Sequence, residues 1–120
     1  MNLEELRECC ISVKGASESF PFDESTLVFK VMGKMFAYTS LEPGDSGFAV
    51  NLKCEPERAV ELREKYQGII PGFHANKKYW NTVYLKSDVS DSLLKELIGH
   101  SVDEVIKKLP QRKQEEYRQL

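Results

Sequence analysis

The sequence predicts a two-layer α+β domain, an antiparallel sheet of about five strands packed under helices in the order αβββαββα. Three observations carry that expectation. Runs rich in β-branched and aromatic residues at 26–32, 35–40 and 48–53 follow one another at hairpin spacing. Leu94, Leu97, Ile98, Val102, Val105, Ile106 and Leu109 recur every three or four positions, which is the period of a helix. The chain has 120 residues, enough for one core that buries roughly two-thirds of the unfolded surface.

Taken in order, Asn2 to Ser12 reads as a helix with Asn2 as N-cap, Glu4 and Glu5 at its positive end, and Leu3, Leu6, Cys10 and Val13 on one face. Gly15 ends it, and 18–24 follows as a loop in which Pro21 keeps Phe20 out of helical geometry. Thr26 to Met32 and Met35 to Ser40 form a hairpin around Gly33-Lys34, and Phe48 to Lys53 supplies a third strand. Alternation assigns Leu27, Phe29, Val31, Phe48, Val50 and Leu52 to the core, and leaves Lys30, Asn51 and Lys53 on a wet face.

Pro56 opens a second helix with Ala59, Leu62 and Tyr66 on its buried side, and Gly68 stops it. Ile69-Ile70 starts a short fourth strand cut off by Pro71-Gly72, and Asn81 to Lys86 is a fifth. The terminal helix runs from Ser90 to Pro110, with a break expected near His100, because Gly99 interrupts it and Ser101-Val102-Asp103-Glu104 matches a capping box. Residues 1–110 are therefore expected to form the single domain, and 111–120, which lack an apolar face, a frayed tail.

The net charge of −2 divides unevenly: residues 1–50 carry four basic and eight acidic groups, 51–86 seven and four, and 87–120 six and seven. Only the middle third favours a polyanion. Within it, 68–86 holds three lysines, four aromatic residues and two asparagines with no Asp or Glu. An acid-free stretch of this kind suits an anionic partner, because mixed signs are the ordinary way to solvate a surface. A pI near 5.7 argues against a tight nonspecific DNA binder.

The strings Gly68-Ile-Ile-Pro-Gly72, His74-x-Asn-Lys77 and Trp80-Asn-Thr-Val83, with Asn51-Leu-Lys53-Cys and Glu18-x-x-Pro-Phe22, resemble the MmcQ/YjbR family of small bacterial proteins from Asn2 to about Pro110. The resemblance implies the same element order, in a fold of the secretion-chaperone-like kind. Members are commonly described as DNA-binding by analogy to a double-wing domain, so the resemblance implies DNA as a partner. No catalytic residue comes with the resemblance.

The expected function is accordingly that of a non-enzymatic domain with DNA as its partner. Lys53, Lys77 and Lys78 hold phosphates, Asn76 and Asn81 orient the contact, Trp80 braces the loop, and His74 belongs to the same surface. Core anchoring is the competing role for Trp80, and a backbone hydrogen bond that for His74. The alternative is a protein-interaction module on the open sheet face, using Lys30, Tyr38, Asn51, Lys53 and Tyr84.

An enzyme ranks third: His74 has no nucleophile nearby in sequence, and Glu18, Asp23 or Cys54 could reach it only through folding. No cofactor or metal is expected, since Cys9, Cys10 and Cys54 lack zinc spacing and read as reduced, small apolar residues. The chain carries no membrane-length apolar run and no secretory signal pattern at its first residues, so a cytoplasmic monomer or weak homodimer is expected.

Overall fold

The computed structural model describes residues 1–73 and 75–120; His74, with the roles expected of its imidazole, lies outside the described residues. The elements are α1 (Leu3–Ile11), β1 (Ser17–Ser19), β2 (Thr26–Val31), β3 (Lys34–Ser40), β4 (Ala49–Lys53), α2 (Pro56–Lys65), β5 (Ile69–Pro71), β6 (Trp80–Tyr84), α3 (Asp91–Ile106) and α4 (Gln111–Arg118). Among the described residues the sheet has six strands in the order β1-β2-β3-β4-β6-β5, every neighbouring pair antiparallel. The α+β class holds.

The additional strand is β1. Its sequence, Ser-Glu-Ser, has no strand propensity, and it forms because β2 offers it a ladder and Arg7 of α1 pairs with Glu18 across the chain reversal. The β2–β3 turn also sits one residue earlier than expected. Met32 and Gly33 both take positive φ, 50° and 76°, which is the type I′ geometry that matches strand twist. Gly33 adopts it freely; Met32 does so at a cost that the ladder on either side offsets.

The core lies between the sheet and the helices. Leu6 and Cys10 of α1, Phe29, Val31, Phe36, Val50 and Leu52 of the sheet, and Leu94, Leu97 and Ile98 of α3 are all buried. A bulge beside Phe29 and Lys30 leaves Phe36 unpaired in the ladder and turns it inward, where its ring lies 6.3 Å from that of Phe29. Phe48, expected in the core, packs against it only partly buried.

The break expected near His100 is absent: α3 is continuous from Asp91 to Ile106. Gly99 faces open space, so its missing side chain costs local propensity and nothing else. Ser101 does not cap a new helix because its hydroxyl is committed elsewhere, donating to the Phe36 carbonyl and accepting from the Lys53 amide. One hydroxyl thus ties α3 to both β3 and β4.

The stretch 111–120 differs from a frayed tail. Residues 111–118 form α4, which lies beside the end of α1, where the Tyr117 hydroxyl donates to the Lys14 carbonyl at 2.8 Å and the Lys14 ammonium sits 4.8 Å from the Tyr117 ring. Gln114 donates to the Leu109 carbonyl at 2.9 Å, satisfying part of the end of α3. A single aromatic contact leaves no periodic signature to read.

The face of the sheet away from the helices is less bare than alternation suggested. Val28, Tyr38, Asn51, Thr82 and Ile70 stand in one row across five strands. Val28, Asn51 and Thr82 are buried, and Tyr38 is partly so. The connection between β5 and β6 covers part of them: Phe73 donates its N–H to the Thr82 hydroxyl and accepts the Tyr38 hydroxyl proton at its carbonyl. Asn51, expected to be wet, is a buried link in that row, donating to the Tyr38 carbonyl and accepting from Thr82.

Candidate functional site

The residues expected to form one anion-accepting surface divide by the strand and turn geometry that holds them. Asn81 faces the helices, because β6 alternates and Asn81 shares its side with Val83. It is 2 % exposed, its amide donates to the Ala59 carbonyl of α2 at 3.3 Å, and its Oδ1 has no partner among the described residues. It cannot orient a partner at the surface, which corrects that expectation.

Trp80 sits on the opposite side, partly buried, with its ring tilted against Tyr38 at 5.6 Å. It is outside the helix-side core, which corrects the core-anchoring alternative. Its backbone organises the preceding connection instead, accepting from Gly72 N–H and donating to the Asn76 carbonyl. Gly72 approaches so closely that a side chain there would collide with the Trp80 backbone at 2.9 Å.

Asn76 closes the turn, its Oδ1 accepting the Lys78 N–H at 2.9 Å. Lys77 folds back, its ammonium donating to the Gly72 carbonyl at 2.9 Å while Arg63 donates to its own carbonyl. Both are exposed, and both have the bonds of a loop clip.

Lys53 and Lys78 belong to a different grouping. Lys34 from the start of β3, Lys53 from the end of β4 and Lys108 just past α3 line one depression of about 290 Å³ together with Met35, Val105 and Leu109. Tyr79 stands beside it, with the Lys108 ammonium 4.3 Å and the Lys78 ammonium 5.4 Å from its ring centre. Burial holds the Lys53 ammonium below the ordinary lysine value; Lys108 and Lys34 push the same way, and Glu104 opposes them.

Glu104 is itself paired with Lys107 at 2.7 Å. Among the described residues Lys34, Lys53, Lys78 and Lys108 enter no ion pair. Three ammonium groups from separate parts of the chain, those of Lys34, Lys53 and Lys108, therefore line one depression with no ion-pair partner among the described residues, and the Lys78 ammonium meets the same Tyr79 ring as Lys108. Lys34 and Lys108 carry no signal in the sequence, since nothing local places either one beside Lys53.

The groups proposed for catalysis are otherwise engaged. Glu18 binds Arg7, and the Asp23 carboxylate accepts from the Ser25 and Thr26 amides, which lower its pKa. Burial pushes the Cys54 thiol up to about 11, so it is protonated and a poor nucleophile at neutral pH. Among the described residues no group of three or more His, Cys, Asp or Glu side chains could hold a metal ion.

A larger cleft of about 680 Å³ adjoins the lysine corner across Met35, which lines both. Tyr38, Asn51, Thr82 and Tyr84 come to it from the sheet, and Phe22 and Phe73 from the flanking loops.

Fold and site together define a small two-layer α+β domain with, among the described residues, a six-stranded antiparallel sheet, helices on one side, a cleft on the other and a lysine-lined depression at its corner. The chain belongs to the YjbR family, whose model matches residues 11–103. It is 33 % identical over 113 residues to the Escherichia coli K12 protein YjbR, covering 94 % of each chain. It is 36 % identical over 99 residues to YbdF of Escherichia coli O157:H7, covering 82 % of this chain and 80 % of that one. Both are described as uncharacterized.

Among solved structures, the Deinococcus radiodurans protein DR2400 superposes with a TM-score of 0.86 at 39 % identity, over 97 % of this chain and 87 % of that one. A Pseudomonas syringae protein superposes with a TM-score of 0.73 at 26 % identity, over 84 % and 96 %. No helix among the described residues is long and apolar enough to cross a membrane.

Proposed function

We propose that this protein is a non-catalytic DNA-binding domain that meets backbone phosphates at the corner formed by Lys34, Lys53, Lys78 and Lys108 around Tyr79. The observation that supports it is that Lys34, Lys53 and Lys108 line one depression without an ion-pair partner among the described residues, with the Lys78 ammonium on the Tyr79 ring that Lys108 also meets. Burial lowers the Lys53 pKa most, and the repulsion from Lys108 and Lys34 that adds to it is what a phosphate placed there relieves. Trp80 and Asn76 serve the reading as loop braces, and Lys77 and Asn81 drop out of it.

The protein as a whole carries −2, so the contact is local and weak. With about three or four phosphates neutralised, log K falls with log salt at a slope of about −3. A duplex approaches over the corner and not over the neighbouring cleft, whose lining includes Asp23 and Glu42. The cytoplasm, and a monomer or weak homodimer, remain the setting for this activity.

Titration of labelled duplex and single-stranded DNA at two salt concentrations tests it. Affinity that appears in low salt and is lost in Lys53→Gln/Lys108→Gln, with Lys77→Gln close to wild type, is the expected result. Absence of affinity in low salt, or indifference to the double substitution, removes DNA. The protein-docking alternative on the open face has less support, because Asn51 and Thr82 are buried and the Tyr38 hydroxyl is held by Phe73.

A further inference from the structure

We infer that the cleft on the open face of the sheet is a binding site for a small organic cation, an amine or quaternary ammonium compound with an apolar body. Its volume of about 680 Å³ falls within the range of small-molecule sites. Four aromatic side chains line it, Phe22, Tyr38, Phe73 and Tyr84. Aromatic rings present a negative face, so a cation enclosed by several of them is attracted without needing a counter-ion in contact.

The charge at the cleft has the complementary sign. Its titratable lining carboxylates are Asp23 and Glu42, and no lysine or arginine lines it among the described residues. Asp23 is fixed by the Ser25 and Thr26 amides and stays ionised; the Glu42 carboxylate has no ion pair or hydrogen bond among the described residues. The lysines of the neighbouring corner lie beyond Met35 and line a separate depression.

Two further features point to an occupant. Phe22 is 69 % and Phe73 48 % exposed, two large rings from different loops bordering one concavity. Isolated exposed apolar residues need no explanation, whereas a shared concave border does. Asn51 is 7 % exposed and uses one of its two amide hydrogens on the Tyr38 carbonyl, leaving a donor at the cleft for a hydroxyl or carbonyl of the same ligand.

The site is independent of DNA binding, and its test uses different residues. Backbone amide NMR spectra of the whole chain are recorded during titration with choline, with tetramethylammonium, and with the uncharged tert-butyl isostere of choline. Saturable shifts confined to the cleft are expected for both cations, with the isostere about tenfold weaker or worse, corresponding to about 1.4 kcal/mol. Phe22→Leu/Phe73→Leu abolishes them and Glu42→Gln weakens them. Because all three positions are exposed, unchanged signals outside the cleft show that the variants fold.

The inference is overturned if the isostere binds as well as choline, or if the double leucine variant binds like wild type. It is equally overturned if the cations shift the spectrum no more than sodium chloride at equal ionic strength, or if only a basic peptide binds.

Discussion

The Lys53 backbone amide donates to the Ser101 hydroxyl at 2.9 Å, and the same hydroxyl donates to the carbonyl of Phe36, the bulged residue of β3. A group with no exposure thereby satisfies two main-chain atoms that the sheet ladder leaves over. Ser101→Ala should cost about 1–3 kcal/mol, because a buried donor and acceptor both lose their partner. Equilibrium unfolding in urea measures it; a change within a few tenths of a kcal/mol means that the bulge relaxes and the hydroxyl is dispensable.

His100 makes stability depend on pH in a predictable direction. Its Nε2 accepts the Glu55 N–H at 3.1 Å, so the folded protein requires the neutral ring. Burial, and then Arg58, lower its pKa from the ordinary 6.5. The unfolded chain thus takes up a proton before the folded one does, and stability present above about 6.5 is lost as pH falls from there through the folded value. Glu55, whose pKa lies below its ordinary 4.5, adds its own loss only at lower pH. His100→Gln should flatten the decline in the upper window alone; a profile identical to wild type there means the ring contributes nothing.

The lysine corner should respond to a small phosphoryl anion. Pyrophosphate is expected to raise the thermal midpoint by mass action in the wild type, and not in Lys53→Met/Lys108→Met. Lys77→Met should behave as wild type, since the Lys77 ammonium is bonded to the Gly72 carbonyl. Equal rises in all three proteins place the anion elsewhere.

Helix α4 should stabilise the domain without being required for it. Tyr117→Phe removes the bond to the Lys14 carbonyl and should cost about 0.5–1.5 kcal/mol. A chain ending at Pro110 should still fold, with faster amide exchange around Lys14 and Gly15, where Leu120 now packs. Failure of that shortened chain to fold would make α4 part of the core.

What the sequence reveals here depends on how local the cause is. The capping of α1 by Asn2, the β2–β3 hairpin and the apolar face of α3 each follow from neighbours within a few positions, and each is visible in the pattern. Strand β1 and helix α4 form through contacts with Arg7 and Lys14, distant partners that leave no mark on Ser-Glu-Ser or on a polar helix. The acid-free stretch leads to Lys78, which is exposed, and equally to Asn81, which alternation along β6 turns inward. The groups that meet Lys53, namely Lys34 and Lys108, lie in segments whose proximity only folding creates.

The two margins of the sheet bear on how copies of the molecule meet. Both β1 and β5 are three residues long; the former is wholly polar, and the latter ends at Pro71, which has no N–H to give. A visiting strand finds little to zip onto on either side. Concentrated solutions should therefore resist fibril-like growth, and any pairing of protomers has to proceed through side chains.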